Sequence, residues 1–115
     1  MKIRSQQMQA MAEHSRRQLE NRMIRRLRES FPKETEGVEE EELREFVAEE
    51  LDRAGSYEIV TEEDMGAFLD RSVYYGEGWH TSLDWASQIL NDPELTGSEK
   101  TEELLKYETL SLREE

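Results

Sequence analysis

The sequence predicts an all-α fold, a small bundle of about five helices that opens with a long amphipathic helix. Apolar residues recur at steps of three and four over most of the chain, the period of a helix with one buried face. The turn-forming residues are few, six glycines and two prolines, and most of them fall between these stretches. One short extended segment, residues 56–60, is too brief and isolated to build a sheet.

The length of 115 residues is typical of one domain. We therefore predict a single helical domain over residues 1–115, in which 1–31 form a long basic amphipathic helix and 38–112 an acidic helical body. With 35% hydrophobic and 37% charged residues, the core is expected to be modest in size. Its bulky packing groups are methionines and aromatic residues, which argues against a wholly disordered chain.

The formal net charge of −13 conceals a division along the chain. Residues 1–33 carry nine Lys/Arg against three Asp/Glu, whereas residues 34–115 carry six against twenty-five. So acidic a body disfavours nucleic-acid binding by the whole domain, because phosphate contacts need clustered cations, and it suits a basic protein partner. We expect no membrane association and a cytoplasmic location, since no apolar run spans a bilayer, the N-terminus lacks the apolar core of a signal peptide, and cysteine is absent.

The first helix is predicted over residues 4–29, a stretch without proline or glycine. Its end is set by Phe31, because a residue that precedes a proline is pushed out of the α region. The helix carries an apolar stripe formed by Met8, Met11, Ala12, Leu19, Met23, Ile24 and Leu27. Six arginines also decorate it: Arg16, Arg17, Arg22, Arg25, Arg26 and Arg28. They can face solvent and the acidic remainder of the fold, or dock the helix on an acidic partner or nucleic acid.

Two further helices have clear boundaries. The second begins after the glutamate run 39–42, whose charge complements the helix dipole, and Gly55 is its predicted stop. Its inner face is formed by Leu43, Phe46, Val47, Leu51 and Ala54. The third begins at Thr61, a favourable N-cap residue, with Asp64 at the acidic position of a capping box. It is predicted to bury Met65, Phe68, Leu69 and Val73 and to end near Tyr75-Gly76.

Residues 74–100 form the most specified stretch, with both tryptophans and three of the six glycines. Glycine accepts positive φ, so residues 76–78 predict a tight reversal. A second capping box with Thr81 as N-cap is then expected to open a short fourth helix. The fifth helix is predicted to begin at Thr96 or at Ser98, either of which can be its cap.

The sequence contains no recognisable catalytic, cofactor or metal motif. His14 and His80 lie on separate predicted elements, and neither belongs to a metal-ligand pattern. Asp84 could pair with His80 across a helix start, although no nucleophile accompanies them. The glycines at 76–78 lack the features of a phosphate loop, and the run 39–42 lacks the glycine and alternating ligands of a calcium loop. We therefore predict a non-enzymatic protein without a cofactor.

Candidate partner-binding residues come from the first helix and from the glycine reversal. Trp79 stands between Gly78 and His80, where it can be exposed as a binding hot spot or can pack onto the bundle. Trp85 is expected in the core. The predicted partner-binding set is Met8, Met11, Leu19, Met23, Leu27, Tyr75, Trp79 and His80.

Several short patterns also resemble a known family. They are Thr61-Glu62-Glu63-Asp64, Tyr75-Gly76, Trp85-Ala86, Ile89-Leu90-Asn91-Asp92-Pro93 and Ser98-Glu99-Lys100, together with Arg26-Leu27-Arg28 and Phe31-Pro32 near the end of the first helix. They resemble small bacterial accessory proteins encoded beside type VI secretion spike and effector genes. That resemblance implies a cytoplasmic co-chaperone that acts with a larger adaptor to stabilise a toxic effector and load it on the spike. Its partner would be the effector, the adaptor or both.

Three functions are left open by the sequence. The first is the adaptor or co-chaperone just described. The second is an immunity protein, in which the acidic body inhibits a basic cognate toxin. The third is a nucleic-acid binder that uses the arginine-rich first helix. The oligomeric state is left open as well.

Overall fold

The computed structural model describes the backbone of residues 2–114 and the side chains of residues 13–111. The described backbone is all-helical with a long first helix, as predicted. Besides the expected helices, two four-residue helices, α2 and α5, occupy the connections. The bounds are α1 Lys2–Ser30, α2 Pro32–Thr35, α3 Glu40–Ser56, α4 Glu62–Tyr75, α5 Trp79–Ser82, α6 Asp84–Leu90 and α7 Gly97–Glu114.

The chain divides into two compact units, Met1–Ala48 and Glu49–Glu115, and α3 contributes residues to both. The single domain over residues 1–115 stays a prediction. In the first unit the buried apolar side chains come from α1 and α3: Met23, Ile24, Leu27, Leu43 and Val47. The same unit also contains polar contacts between its elements. Arg44 donates a hydrogen bond to Asn21 at 2.7 Å, and Arg28 donates one to the carbonyl of Val38 at 2.9 Å.

The second unit holds an aromatic core. Its buried cluster is Ala54, Ile59, Phe68, Trp79, Ala86, Leu90 and Leu104. In sequence order, the helices α4 to α7 contact one another around it. The Phe68 and Trp79 rings lie 5.0 Å apart at a tilt of 55°, which is a favourable aromatic geometry.

The predicted stop of α3 at Gly55 is wrong. Gly55 lies inside the helix, and the left-handed residue is Glu58, with a φ of 67°. Glu58 donates to the carbonyl of Gly55 and Ile59 donates to the carbonyl of Ala54, the pair of bonds that defines a Schellman motif. Because Ile59 and Ala54 share the buried cluster, tertiary packing holds a non-glycine residue in this position.

Two of the predicted caps are present. The Thr61 hydroxyl accepts a hydrogen bond from the Asp64 amide at 3.2 Å and opens α4. At α7 the capping box is reciprocal, since Thr96 Oγ1 accepts from the Glu99 amide while Glu99 Oε1 accepts from the Thr96 amide. Ser98 instead donates to an Asp64 carboxylate oxygen at 2.8 Å.

The predicted N-cap at Thr81 is wrong. Thr81 lies within α5, and its hydroxyl donates to the carbonyl of Gly78. Gly78 adopts a left-handed φ of 85°, which lets the chain begin α5 at Trp79, three residues before the start that a cap at Thr81 predicts. Leu83 then precedes α6 without a side-chain cap. The reversal at residues 76–78 is confirmed, because Gly76 also has a positive φ of 97°.

The start of α7 packs against the end of α3 in the second unit. A Cβ atom added to Gly97 would lie 1.9 Å from the carbonyl oxygen of Glu58, so only glycine fits there. The buried Lys100 ammonium donates to the carbonyl of Tyr57 at 2.9 Å and places a cation at the C-terminus of α3.

Candidate interaction surface

Trp79 belongs to a buried polar cluster in the second unit. The Trp79 indole, 1% exposed, donates from Nε1 to the Ser72 hydroxyl at 2.9 Å. Ser72 in turn donates to Glu50 Oε1 at 2.6 Å, and Arg53 forms a salt bridge with the other oxygen of the same carboxylate. Each buried polar group in this series therefore has a partner, which offsets the cost of its burial. The indole is fixed as part of the interior.

His80 lies next to this cluster and is buried as well. Its ring packs against those of Tyr57 and Trp79, with centroids at 6.1 and 6.4 Å. Among the described residues, its Nδ1 atom has no hydrogen-bond partner. Burial, and then the positive charge of Arg53, lower the pKa of His80, although Glu50 acts in the opposite direction. Asp84, whose pairing with His80 the sequence left possible, is exposed, whereas His80 is buried.

A second set of aromatic side chains lies at the surface of the same unit. Tyr74, Tyr75, Trp85 and Tyr107 form a continuous series, which we call the aromatic patch. Tyr74 and Tyr75 meet edge-on at 4.9 Å, Tyr75 meets Trp85 at 5.8 Å, and Trp85 stacks on Tyr107 at 4.5 Å and 8°. Tyr74 is 75% exposed, Tyr107 43% and Tyr75 37%, while Trp85 is half-buried. The series therefore joins α4, α6 and α7 at the surface.

Ionic contacts between α4 and α7 fix the patch. Arg71 forms a bidentate salt bridge with Glu108, with distances of 3.1 Å from Nε to Oε2 and 2.6 Å from Nη2 to Oε1. The Tyr75 hydroxyl donates to the same Oε2 at 2.6 Å. Burial, and then the hydrogen bond and charge of Glu108, raise the pKa of Tyr75. Tyr75 is thus held as a neutral donor and the patch keeps a defined shape.

The predicted partner-binding residues lie in different environments. Met8 and Met11 lie outside the described side chains. Leu19 is half-buried, and Met23 and Leu27 are buried in the first unit. In the second unit Trp79 and His80 are interior, whereas Tyr75 belongs to the aromatic patch. Contact of any of these eight residues with a partner stays a prediction.

The two tryptophans differ in burial. For Trp79 the sequence left exposure and packing onto the bundle open, and the residue is interior. Trp85, which is expected in the core, packs only partly against it. Sequence reasoning overlooked Tyr74 and Tyr107 as surface residues of the aromatic patch. Tyr107 follows Leu104, a core residue of α7, by three positions, a spacing that predicts a common apolar face. One available signal is the position of Tyr74, six residues after Phe68 and five after Leu69, because the helical period places it away from the buried face of α4.

Chemical groups for catalysis or metal binding do not converge in the described part of the chain. No group of three or more His, Cys, Asp or Glu side chains there could hold a metal ion. The buried Glu50 carboxylate is occupied by Arg53 and Ser72. What the described geometry offers is a rigid aromatic surface, which suits binding of another molecule.

The fold and the patch define a small all-α protein with an exposed aromatic surface on an acidic unit. Comparison with protein-family models, with curated proteins and with solved structures gave no match. Among the described residues, no helix has both the length and the apolar character that crossing a lipid bilayer requires.

Proposed function

We propose that this chain is a non-enzymatic accessory protein that binds another protein through the aromatic patch. Its role would be that of a co-chaperone or adaptor that stabilises a type VI secretion effector and helps to load it on the spike. The patch is the observation that carries the binding role, and the resemblance of the sequence motifs supplies the secretion context. The two lines of support are independent.

The composition of the patch supports protein binding. Interfaces are enriched in Tyr, Trp and Arg, and the residues that dominate binding energy come mainly from these types. Three tyrosines, one tryptophan and Arg71 meet on this surface, and stacking fixes Trp85 and Tyr107 in place. Preordered aromatic side chains lose little conformational entropy on association, so their contact area contributes to affinity with a small ordering cost.

Co-purification tests the proposal. The full-length chain would be co-expressed with the effector and the larger adaptor encoded beside it, and retention of either on the tagged chain would be measured. Tyr74→Ala and Trp85→Ala should each reduce retention at least about tenfold, the effect of a hot-spot residue. Leu105→Ala is the matched control, because Leu105 is a 59% exposed apolar residue outside the patch. Equal retention by all three variants would overturn the proposal.

The acidic charge of the second unit favours an immunity protein as the second candidate. An immunity protein neutralises its toxin alone, whereas a co-chaperone leaves the toxin active. The isolated toxin domain would therefore be expressed with and without this chain, and growth would be followed. Growth arrest in both cultures supports the co-chaperone, and rescue by this chain alone replaces it with the immunity protein.

A further inference from the structure

The excess negative charge of the chain lies entirely in the second unit. Residues 1–48 carry ten Lys/Arg and ten Asp/Glu, whereas residues 49–115 carry five and eighteen. The second unit therefore has a formal charge of −13, equal to that of the whole chain. This is also the unit that carries the aromatic patch.

The described cations of the second unit are already engaged by the unit itself. Arg113 lies outside the described side chains, and the other four have these partners: Arg53 with Glu50, Arg71 with Glu108, Lys106 with Glu103, and Lys100 with the carbonyl of Tyr57. These pairs engage Glu50, Glu103 and Glu108. With eighteen acidic residues against five basic ones, the unit keeps a strongly negative formal charge.

Exposed carboxylates flank the patch along the chain. Glu77 follows Tyr75 by two residues in the glycine reversal, and Asp84 immediately precedes Trp85 at the start of α6; both are exposed. Exposed carboxylates and exposed or half-buried rings therefore lie within two residues of each other in the chain at both places. The group that satisfies both is a guanidinium, which stacks on aromatic faces and forms bidentate hydrogen bonds with carboxylates.

We infer that the aromatic patch recognises an arginine-bearing, partly apolar segment of the protein partner, an inference that rests on the proposed function. The guanidinium groups lie over the rings of Tyr74 and Tyr107, and Glu77 and Asp84 neutralise them. Apolar side chains of the segment cover the remaining edge of Trp85. Nucleic acids and anionic membranes are repelled by the same unit, because their phosphates meet its net negative charge.

Defined peptides test the inference with the full-length chain. The probe is a synthetic peptide of alternating arginine and leucine, and its two controls replace every arginine with lysine or with glutamine. Binding is measured by calorimetry at about 50 and about 300 mM salt. The arginine peptide should bind at least about tenfold more tightly than the glutamine peptide and about threefold more tightly than the lysine peptide, with weaker binding at high salt.

Matched variants separate recognition by the patch from general attraction to an acidic protein. Tyr74→Ala should reduce affinity for the arginine peptide about tenfold, and Asp84→Asn several-fold, whereas Leu105→Ala and Glu94→Gln, exposed positions outside the patch, should change it little. Tyr74 is the most exposed ring, so its truncation should leave the fold intact, which circular dichroism checks. Equal affinity for the arginine and glutamine peptides, or equal losses at the patch and control positions, would overturn the inference.

The outcomes also distinguish this inference from the proposed function. If patch variants lose the co-expressed partner while the arginine peptide binds no better than the glutamine peptide, only the arginine specificity is refuted. If patch variants retain the partner, the proposed function is refuted, and the inference is refuted with it.

Discussion

The interior around Trp79 and the surface around Trp85 use the same kinds of side chain in opposite ways. In the interior the indole N–H is bonded to Ser72, and the ring is enclosed by the core. At the surface the indole of Trp85 stacks on a partly exposed tyrosine. Tyr75 connects the two regions, since its ring lies 6.1 Å from Trp79 and 5.8 Å from Trp85.

This difference separates stability from binding within one unit. The interior cluster consists of Trp79, Ser72, Glu50 and Arg53, which are joined by hydrogen bonds and a salt bridge. Their replacement should lower the stability of the unit without altering the chemistry of its surface. Patch residues contact water on one side, so their replacement should change binding more than stability. Substitutions in the interior cluster and substitutions in the aromatic patch therefore test whether stability and binding are separate.

The largest effect is expected from truncating the two tryptophans in parallel. Trp79→Ala removes a fully enclosed ring and should lower the free energy of unfolding by about 3–5 kcal/mol, whereas Trp85→Ala should lower it by about 1–2 kcal/mol. Urea denaturation followed by circular dichroism measures both variants. Equal losses would show that Trp85 is as much a core residue as Trp79.

A pair of glycines gives the next largest difference. Gly97→Ala places a Cβ atom 1.9 Å from the carbonyl oxygen of Glu58, so the backbones of α3 and α7 must separate, at a cost of about 3 kcal/mol. Gly55→Ala meets nothing within 4 Å inside a helix and should stabilise the protein by about 0.5–1 kcal/mol. Thermal unfolding of the two variants checks the opposite signs. A stabilised Gly97→Ala variant would contradict the close approach of α3 and α7.

The sequence predicted most of the helices and two of the helix caps in the second unit. Helix periodicity and the caps at Thr61 and Thr96 depend on residues within four positions of each other, so a single sequence contains them. The cap at Thr81 was misplaced because the left-handed conformation of Gly78 starts α5 early. The four-residue capping patterns that begin at Thr61 and at Thr81 look alike in the sequence, and only the backbone turn at Gly78 before the second distinguishes their outcomes.

The placement of the tryptophans could not be predicted in the same way. Trp79 is interior because Ser72 and Glu50 supply a chain of hydrogen bonds from α4 and α3. Trp85 is half-buried at the surface, where Tyr107 of α7 stacks on it. These partners lie 7 to 29 residues away, and nothing in local spacing specifies them. The aromatic patch is for this reason a result of tertiary structure alone.

Removal of the Ser72 hydroxyl, at the centre of the interior cluster, should lower stability less than truncating Trp79 or adding a Cβ atom to Gly97. Ser72→Ala leaves the Trp79 N–H without an acceptor and removes a donor to Glu50, which should cost about 1–3 kcal/mol. Ser87→Ala is the control, since the Ser87 hydroxyl accepts a long 3.3 Å bond from Asn91 while the bonds to the Ser87 carbonyl do not depend on the side chain. This variant should change stability by less than about 0.5 kcal/mol. Denaturant titration measures the pair, and an unchanged Ser72→Ala variant would show that the cluster adds no stability.

The smallest expected effect is a pH dependence from His80, and its sign follows from the environment of the ring. Burial and Arg53 lower the pKa of His80 in the folded protein, with Glu50 opposing them, while the unfolded chain keeps a value of about 6.5. Between these two values the unfolded state binds more protons. The contribution of neutral His80 to stability is therefore complete above about pH 6.5 and is lost as the pH falls toward the folded pKa.

Replacement of the two histidines isolates this contribution from the titration of the many carboxylates. His80→Gln should flatten the fall in unfolding free energy between about pH 6.5 and pH 5, by less than about 1.4 kcal/mol for each pH unit. His14→Gln is the matched control for the loss of an imidazole, because His14 is exposed on α1. A His80→Gln variant with the original slope would mean that His80 protonates equally well in both states. The ring beside Trp79 would then be open to water, and the sharp division between interior cluster and aromatic patch would fail at this residue.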